Sequence, residues 1–327
     1  MSGLNITIKP CEDGYMVENG GVYFKIGTRE GRILEKVVNN EDTSSILEKE
    51  NITEEQLKQM LDTFREMGVI GRQKKEKNHI LFYRIPLFEA DRMFSTIVTA
   101  IREHKILYKV LFWISVAVVL LGIILMGVYM RDIFNLSVLH LNWMEYVMLY
   151  LIFLISVCLH ELGHGIVCKY VGGRVGTLGF MLIFFSPAMY CDISGIRMVE
   201  DKRKQIMASS AGLYVNLVFM SLGSIAFAIQ PRPLFAAFIV MSFTTIISNL
   251  IPVIRLDGYW ILSFATGITN LYKKSLRGVG KLFTNCSFEE RFIAVYGIVT
   301  YIFIVIALSS ICLSAIGGVQ YVLNILV

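Results

Sequence analysis

Apolar positions fall into short runs up to about residue 105 and into long, nearly continuous runs from about 106 onward. In the first stretch, Tyr15–Val17 and Val22–Ile26 flank Asn19-Gly20-Gly21, which predicts a β-hairpin. Thr28 is placed to cap a helix with Ile33, Leu34, Val37 and Val38 on one face, and Ser44–Lys49 predicts a second, shorter helix. Thr53-Glu54-Glu55-Gln56 is a capping box, and Leu57, Met60, Leu61 and Phe64 follow at helical spacing until Gly68. Val69–Gln73 and Ile80–Ile85 read as strands around the polar tip Lys74-Lys75-Glu76-Lys77-Asn78. Together these elements predict an α+β winged helix-turn-helix domain over residues 1–85. Residues 86–105 predict an interfacial linker helix. Met93, Phe94, Ile97, Val98 and Ile101 share one face, with Arg92, Arg102 and His104 free to meet water.

Residues 106–327 predict a mainly α, polytopic membrane helical bundle of about five to six spans. A span needs roughly 20 apolar residues to cross about 30 Å of hydrocarbon. Leu107–Met130, Tyr146–Tyr170, Ile206–Ile229, Leu234–Ile254 and Phe292–Ser314 qualify. The tail to Val327 is apolar but interrupted at Gly317-Gly318. Gly172–Asp192 is apolar yet glycine-rich, which predicts a re-entrant segment, since irregular backbone at membrane depth must be buried in protein or line a cavity.

Composition agrees with this division. Of 327 residues, 55% are hydrophobic and 17% charged, against roughly 25% charged in soluble domains. Met1–Asp13 has no apolar core and does not read as a signal peptide. The six cysteines are scattered, without a CxxC pair, which argues against a disulfide framework or a cysteine zinc site. The net charge of +5 resides mainly in one set of loops. Lys169, Arg174, Arg197, Lys202, Arg203 and Lys204 lie after the second span; Arg255, Lys273, Lys274, Arg277, Lys281 and Arg291 lie after the fourth. The opposite side holds only Arg131 and Arg232. The positive-inside rule makes the basic side, and with it the N-terminal domain, cytoplasmic in a multi-pass cell-membrane protein. Nucleic acid is not an expected partner: Glu54, Glu55, Asp62 and Glu66 interrupt the predicted third helix, so it is no basic reading face.

Within the second span lies His160-Glu161-Leu162-Gly163-His164. Charged groups at that depth cost at least ~2.5 kcal/mol each on insertion scales. Histidines at i and i+4 share a helix face and can offer two imidazoles to one metal. Glu161 beside them is placed to take a proton from a metal-activated water. A catalytic zinc needs a third protein ligand and one open position. Few carboxylates lie near the bilayer, and Asp257 is the best placed, at the cytoplasmic end of the fourth span after the helix-breaking Pro252 and before Gly258. A loop or cap role for Asp257 is the rival.

These two segments resemble the site-2 protease family of intramembrane metalloproteases. The resemblance rests on His160–His164 and on Asn249, Pro252 and Leu256-Asp257-Gly258. It implies His160, His164 and Asp257 as ligands of Zn2+, Glu161 as general base, and Asn249 as a catalytic group that positions substrate or stabilises the oxyanion. Ala211-Gly212-Leu213-Tyr214-Val215-Asn216 resembles a further family element, with Leu213 where proline is usual. Asn216 is then either a site residue or an interhelical hydrogen bond. Ile254 and Arg255 replace the usual prolines, and no PDZ-type insertion is present. Ser186-Pro187-Ala188-Met189-Tyr190-Cys191-Asp192 looks like the branch called peptide zinc metalloproteases, found with bacterial peptide-production genes. Asp192 is either a site group or a rim carboxylate.

Residues 14–85 resemble the precursor-peptide recognition element typified by the pyrroloquinoline quinone peptide chaperone, on Tyr23-Phe24-Lys25-Ile26, Ile33-Leu34 and Phe64…Gly68-Val69-Ile70. That resemblance implies a leader peptide added as a strand beside the hairpin. The expected function is intramembrane hydrolysis of a ribosomally made precursor peptide. The expected partners are the precursor peptide, the lipid bilayer, a peptide-modifying enzyme and an ABC exporter. Cleavage of a membrane-anchored regulator such as an anti-sigma factor, and a non-enzymatic exporter or immunity role, remain the alternatives.

Overall fold

Gly20 and Gly21 both take positive φ, 58° and 82°, the backbone of a tight hairpin turn that matches strand twist. They join β2 (Gly14–Asn19) to β3 (Val22–Ile26), and β1 (Ile6–Cys11) completes an antiparallel sheet in the order β1-β2-β3. This computed structural model describes residues 6–11, 14–71, 82–137, 141–183, 186–268, 270–278 and 287–326. Two compact units divide the chain, 1–246 and 247–327.

In the first unit, three helices follow the sheet: α1 (Thr28–Val38), α2 (Thr43–Glu50) and α3 (Glu54–Glu66). Val17, Leu34, Phe64, Val69 and Ile70 form one core cluster, and Ile33, Ile46 and Leu57 another. Thr53 and Gln56 make the reciprocal bonds of a capping box at α3. Thr28 is not the cap of α1; Gly27 occupies that place, and Thr28 begins the helix. The Asn19 side-chain amide donates to the carbonyls of Gly68, Val69 and Gly71, tying the hairpin to the end of α3.

The wing does not appear in the expected form. Val69–Gly71 is a bend rather than a strand, and residues 72–81, with the polar tip, lie outside the described residues. The next strand, β4 (Phe82–Glu89), pairs antiparallel with Thr177–Ile183 instead. Backbone groups on a strand must be paired somewhere, and the long-range partner satisfies them.

The chain continues through α4 (Asp91–Glu103), α5 (Lys105–Val128), α6 (Met130–Ser137) and α7 (Trp143–Tyr170), then β5 (Thr177–Ile183) and β6 (Ser186–Cys191). A short 3₁₀ turn at Ser194–Met198 precedes α8 (Lys202–Ile229) and α9 (Pro233–Leu250). The glycine-rich segment expected to re-enter the membrane is thus a β-hairpin, in a second sheet ordered β4-β5-β6. Helix α8 packs against both α5 and α7. A Cβ on Gly122 of α5 would stand 2.2 Å from the Cβ of Ser221 on α8, the close small-residue approach by which membrane helices associate. Met220, Phe227, Ala236, Ile239 and Ile133 close the packing among α8, α9 and α6.

Helix α4 buries Phe94 and Val98 completely or nearly so. Rather than resting that face on lipid, the helix lays it on α7, where a Cβ on Gly165 would lie 2.3 Å from the Phe94 ring. Arg102 donates to the Tyr170 carbonyl, Lys169 pairs with Asp91 at 2.8 Å, and the Val175 N–H also donates to Asp91. Arg174 reaches the N-terminal sheet at Glu18, 3.0 Å away.

In the second unit, α10 (Asp257–Thr266), α11 (Leu271–Gly278) and α12 (Phe288–Leu326) follow. Tyr259, Ile268, Leu271, Ile293 and Tyr296 form its core, and the Tyr296 hydroxyl donates to the Pro252 carbonyl at 2.6 Å.

Four helices among the described residues, α5, α7, α8 and α9, are long and apolar enough to cross a membrane, against the five spans expected. The expected fifth falls within α12, most of whose side chains from 307 onward lie outside the described residues. Helix α12 runs on to Leu326 without the break expected at Gly317-Gly318. A mainly helical chain with four such helices fits a membrane protein.

Candidate metal centre

Helix α7 starts from an Asn142–Glu145 capping box and runs 28 residues to Tyr170. His160 and His164 stand one turn apart near its end, both buried, with exposures of 6% and 4%. Their Nε2 atoms lie 3.2 Å apart. Two nitrogens on a tetrahedral zinc at ~2.05 Å would be about 3.3 Å apart.

The orientation of His164 has an identifiable cause. Its Nδ1 is 2.8 Å from the Ala208 carbonyl of α8. A carbonyl only accepts, so Nδ1 carries the hydrogen, which leaves Nε2 as the nitrogen able to offer a lone pair to a metal. Metal-bound histidines are held in this way by an outer hydrogen bond.

Gly212 lies one turn beyond Ala208. A Cβ there would stand 2.3 Å from His164 Nε2 and 2.5 Å from both Cε1 and Nε2 of His160. The glycine therefore makes the space in which the two imidazoles converge. The donor set and this cradle together fit a metal ion.

Glu161 is half-buried, and its Oε2 accepts from the Cys191 main-chain N–H at 2.9 Å. The last residue of β6 is thereby placed against the carboxylate between the two histidines. Asp192 makes local bonds. Its Oδ1 accepts from the Ser194 N–H, and its backbone pairs with Thr177 and Gly176. It closes the hairpin base and starts the 3₁₀ turn.

Asn216 is buried at 4% on α8. Asn249 is half-buried in the last turn of α9, and Asp257 is the half-buried first residue of α10. Gly258 is needed there because a Cβ would meet the Leu250 carbonyl oxygen at 2.2 Å. Sequence reasoning missed Ala208, whose contribution is a main-chain carbonyl and leaves no residue-type signal. It also missed the Cys191 N–H for the same reason. Gly212 was visible within its motif but without its task.

Comparison with known proteins points toward the same chemistry. The chain is similar to a protein of Bacillus subtilis (strain 168) named "Putative peptide zinc metalloprotease protein YydH", 30% identical over 131 residues. The match covers 39% of this chain and 51% of the relative, so the chain spans about half the length of the curated relative it matches. No protein-family model matches, and no solved structure does. The similarity supports a zinc metalloprotease, and the four apolar helices support a membrane location.

Proposed function

We propose that the protein is an intramembrane zinc endopeptidase of the site-2 protease type that cuts a ribosomally made precursor peptide. The observation that carries this reading is the buried pair His160 and His164, with Nε2 atoms 3.2 Å apart and Glu161 between them. His160, His164 and Asp257 are the ligand set. Zinc held by them would supply Lewis-acid polarisation of the scissile carbonyl and activation of water. Glu161 would be the group that accepts a proton from the attacking water and returns it to the leaving amine. Asn249 donates its amide to the oxyanion or to the substrate backbone. An extended peptide paired along the outer edge of β6, short of Cys191 whose N–H is held by Glu161, passes Glu161 at the strand's end.

The leader of the substrate binds the N-terminal domain as an added strand at the edge of β3, with α3 beside it. That domain and the active-site end of α7 face the cytoplasm. A peptide-modifying enzyme and an ABC exporter act before and after the cut. The similarity to a peptide zinc metalloprotease favours this substrate class over a membrane-anchored regulator.

The test uses the purified chain in lipid nanodiscs with a candidate precursor peptide chosen from its gene neighbourhood. Wild type is expected to cut the peptide and to carry about one zinc. Glu161→Gln keeps the zinc and loses cleavage by at least ~100-fold, the usual contribution of a positioned acid–base group. Cleavage retained in that variant refutes the mechanism.

A further inference from the structure

Glu161 sits one residue past His160, so on a helix its side chain starts about 100° away from the metal-facing stripe. A glutamate loses rotamer freedom when fixed, and something must fix it for efficient proton transfer. One donor comes from the hairpin: Cys191 N–H to Glu161 Oε2, 2.9 Å, across 30 residues of sequence.

The strand geometry explains why that N–H is available. Asp192 directs its N–H and C=O toward β5, at Thr177 and Gly176. Backbone groups on a strand alternate sides, so Cys191 points outward, away from β5. Its bond to the carboxylate therefore costs no ladder bond. The position of the donor is braced twice, since β5 pairs with β6 on one side and with β4 on the other.

We infer that β6 is a positioning element for the general base, acting through the main-chain N–H of Cys191 rather than through its thiol. The inference rests on the endopeptidase reading for its role and on the 2.9 Å bond for its geometry. A charge-assisted hydrogen bond of this kind sets both the direction and the rotamer of a carboxylate.

Two measurements test it on the zinc-loaded full chain in nanodiscs. The first compares Cys191→Pro, which removes the thiol and the outward N–H and fixes φ, with Cys191→Ala, which removes the thiol and keeps the N–H. At equal zinc content, kcat for Cys191→Pro should fall about 10- to 100-fold below Cys191→Ala, the scale of a misplaced catalytic group. KM should stay within about threefold in the same comparison, because substrate contacts are untouched. Equal kcat in the two variants overturns the inference. The second measurement needs no activity and stands if Cys191→Pro does not fold. Hydrogen exchange over residues 186–192 should show one amide exchanging at least about tenfold faster in Glu161→Ala than in wild type, with Glu161→Gln between them. Identical exchange in all three overturns the inference. A wild type that cuts no peptide refutes the endopeptidase reading instead, and leaves the exchange result to decide the bond.

Discussion

At residue scale, the pair His160–His164 depends on a glycine in another helix. Alanine at 212 would favour α8 by about 0.8–1 kcal/mol through helix propensity. Against this, its Cβ would sit 2.3 Å from His164 Nε2 and 2.5 Å from His160 Nε2. Contacts that short force a shift, and overpacking costs about 1–3 kcal/mol. The imidazoles are the movable partners, so the steric term prevails and appears as lost metal affinity. Gly212→Ala is expected to keep its helix content by circular dichroism while zinc affinity falls at least about tenfold by competition with a chelator. Unchanged affinity would show that the imidazoles do not converge over that glycine. The histidines and Glu161 were legible in the sequence because a helix repeats every turn and the spacing is local. Gly212 and Ala208 act across the α7–α8 contact, and nothing local in the sequence encodes which turn of α8 faces which turn of α7.

At the scale of elements, α4 is a strut on α7, the helix of His160 and His164. Its face of Met93, Phe94, Ile97, Val98 and Ile101 was legible as amphipathic. An apolar stripe does not say whether lipid or protein will cover it; Gly165 decides, by leaving room for the Phe94 ring. The strand at Phe82–Ile85 was likewise legible, but its partner was not, because hairpin logic favours the nearest strand and β5 lies far along the chain. The strut is pinned by Asp91, which accepts from Lys169 and from the Val175 N–H. Burial pushes its carboxyl pKa up, but the Lys169 hydrogen bond, the Val175 N–H and the charges of Lys169 and Arg174 outweigh it and hold it below the ordinary 3.8. With the folded pKa lowered, the unfolded chain takes up the proton first as pH falls. The stabilisation is therefore complete above the ordinary value and is lost as pH drops through 3.8 toward the folded value. Asp91→Asn cannot titrate. Thermal melts in detergent should place it below wild type at pH 7, by about 1–3 kcal/mol for a lost charged hydrogen bond, and the gap should shrink by pH 3. A gap that widens with acid would refute the pairing.

At the scale of the whole molecule, the proposed topology rests on charge and helix count together. Residues 129–142, between α5 and α7, carry Arg131, and residues 230–232, between α8 and α9, carry Arg232. The connection from α7 to α8 carries Arg174 and Arg197, and the basic residues Lys202–Lys204 open α8. In the topology proposed above each of these helices crosses once, which would put the N-terminal domain and the α7–α8 connection on one side, the cytoplasmic one by the positive-inside rule. Under that proposal the N-terminal domain and the end of α7 share a side, and a peptide would reach the histidines without crossing the bilayer. Cysteines placed singly at Asp201 and Gln230, in a chain with its native cysteines replaced by alanine or serine, would report this. In intact cells an impermeant thiol reagent should label Gln230→Cys and spare Asp201→Cys, with both labelled after lysis. The reverse pattern would put Glu161 at the outer end of its helix. A peptide made in the cytoplasm would then have to be exported before it could be cut, and the N-terminal domain would lose its role as the holder of the leader.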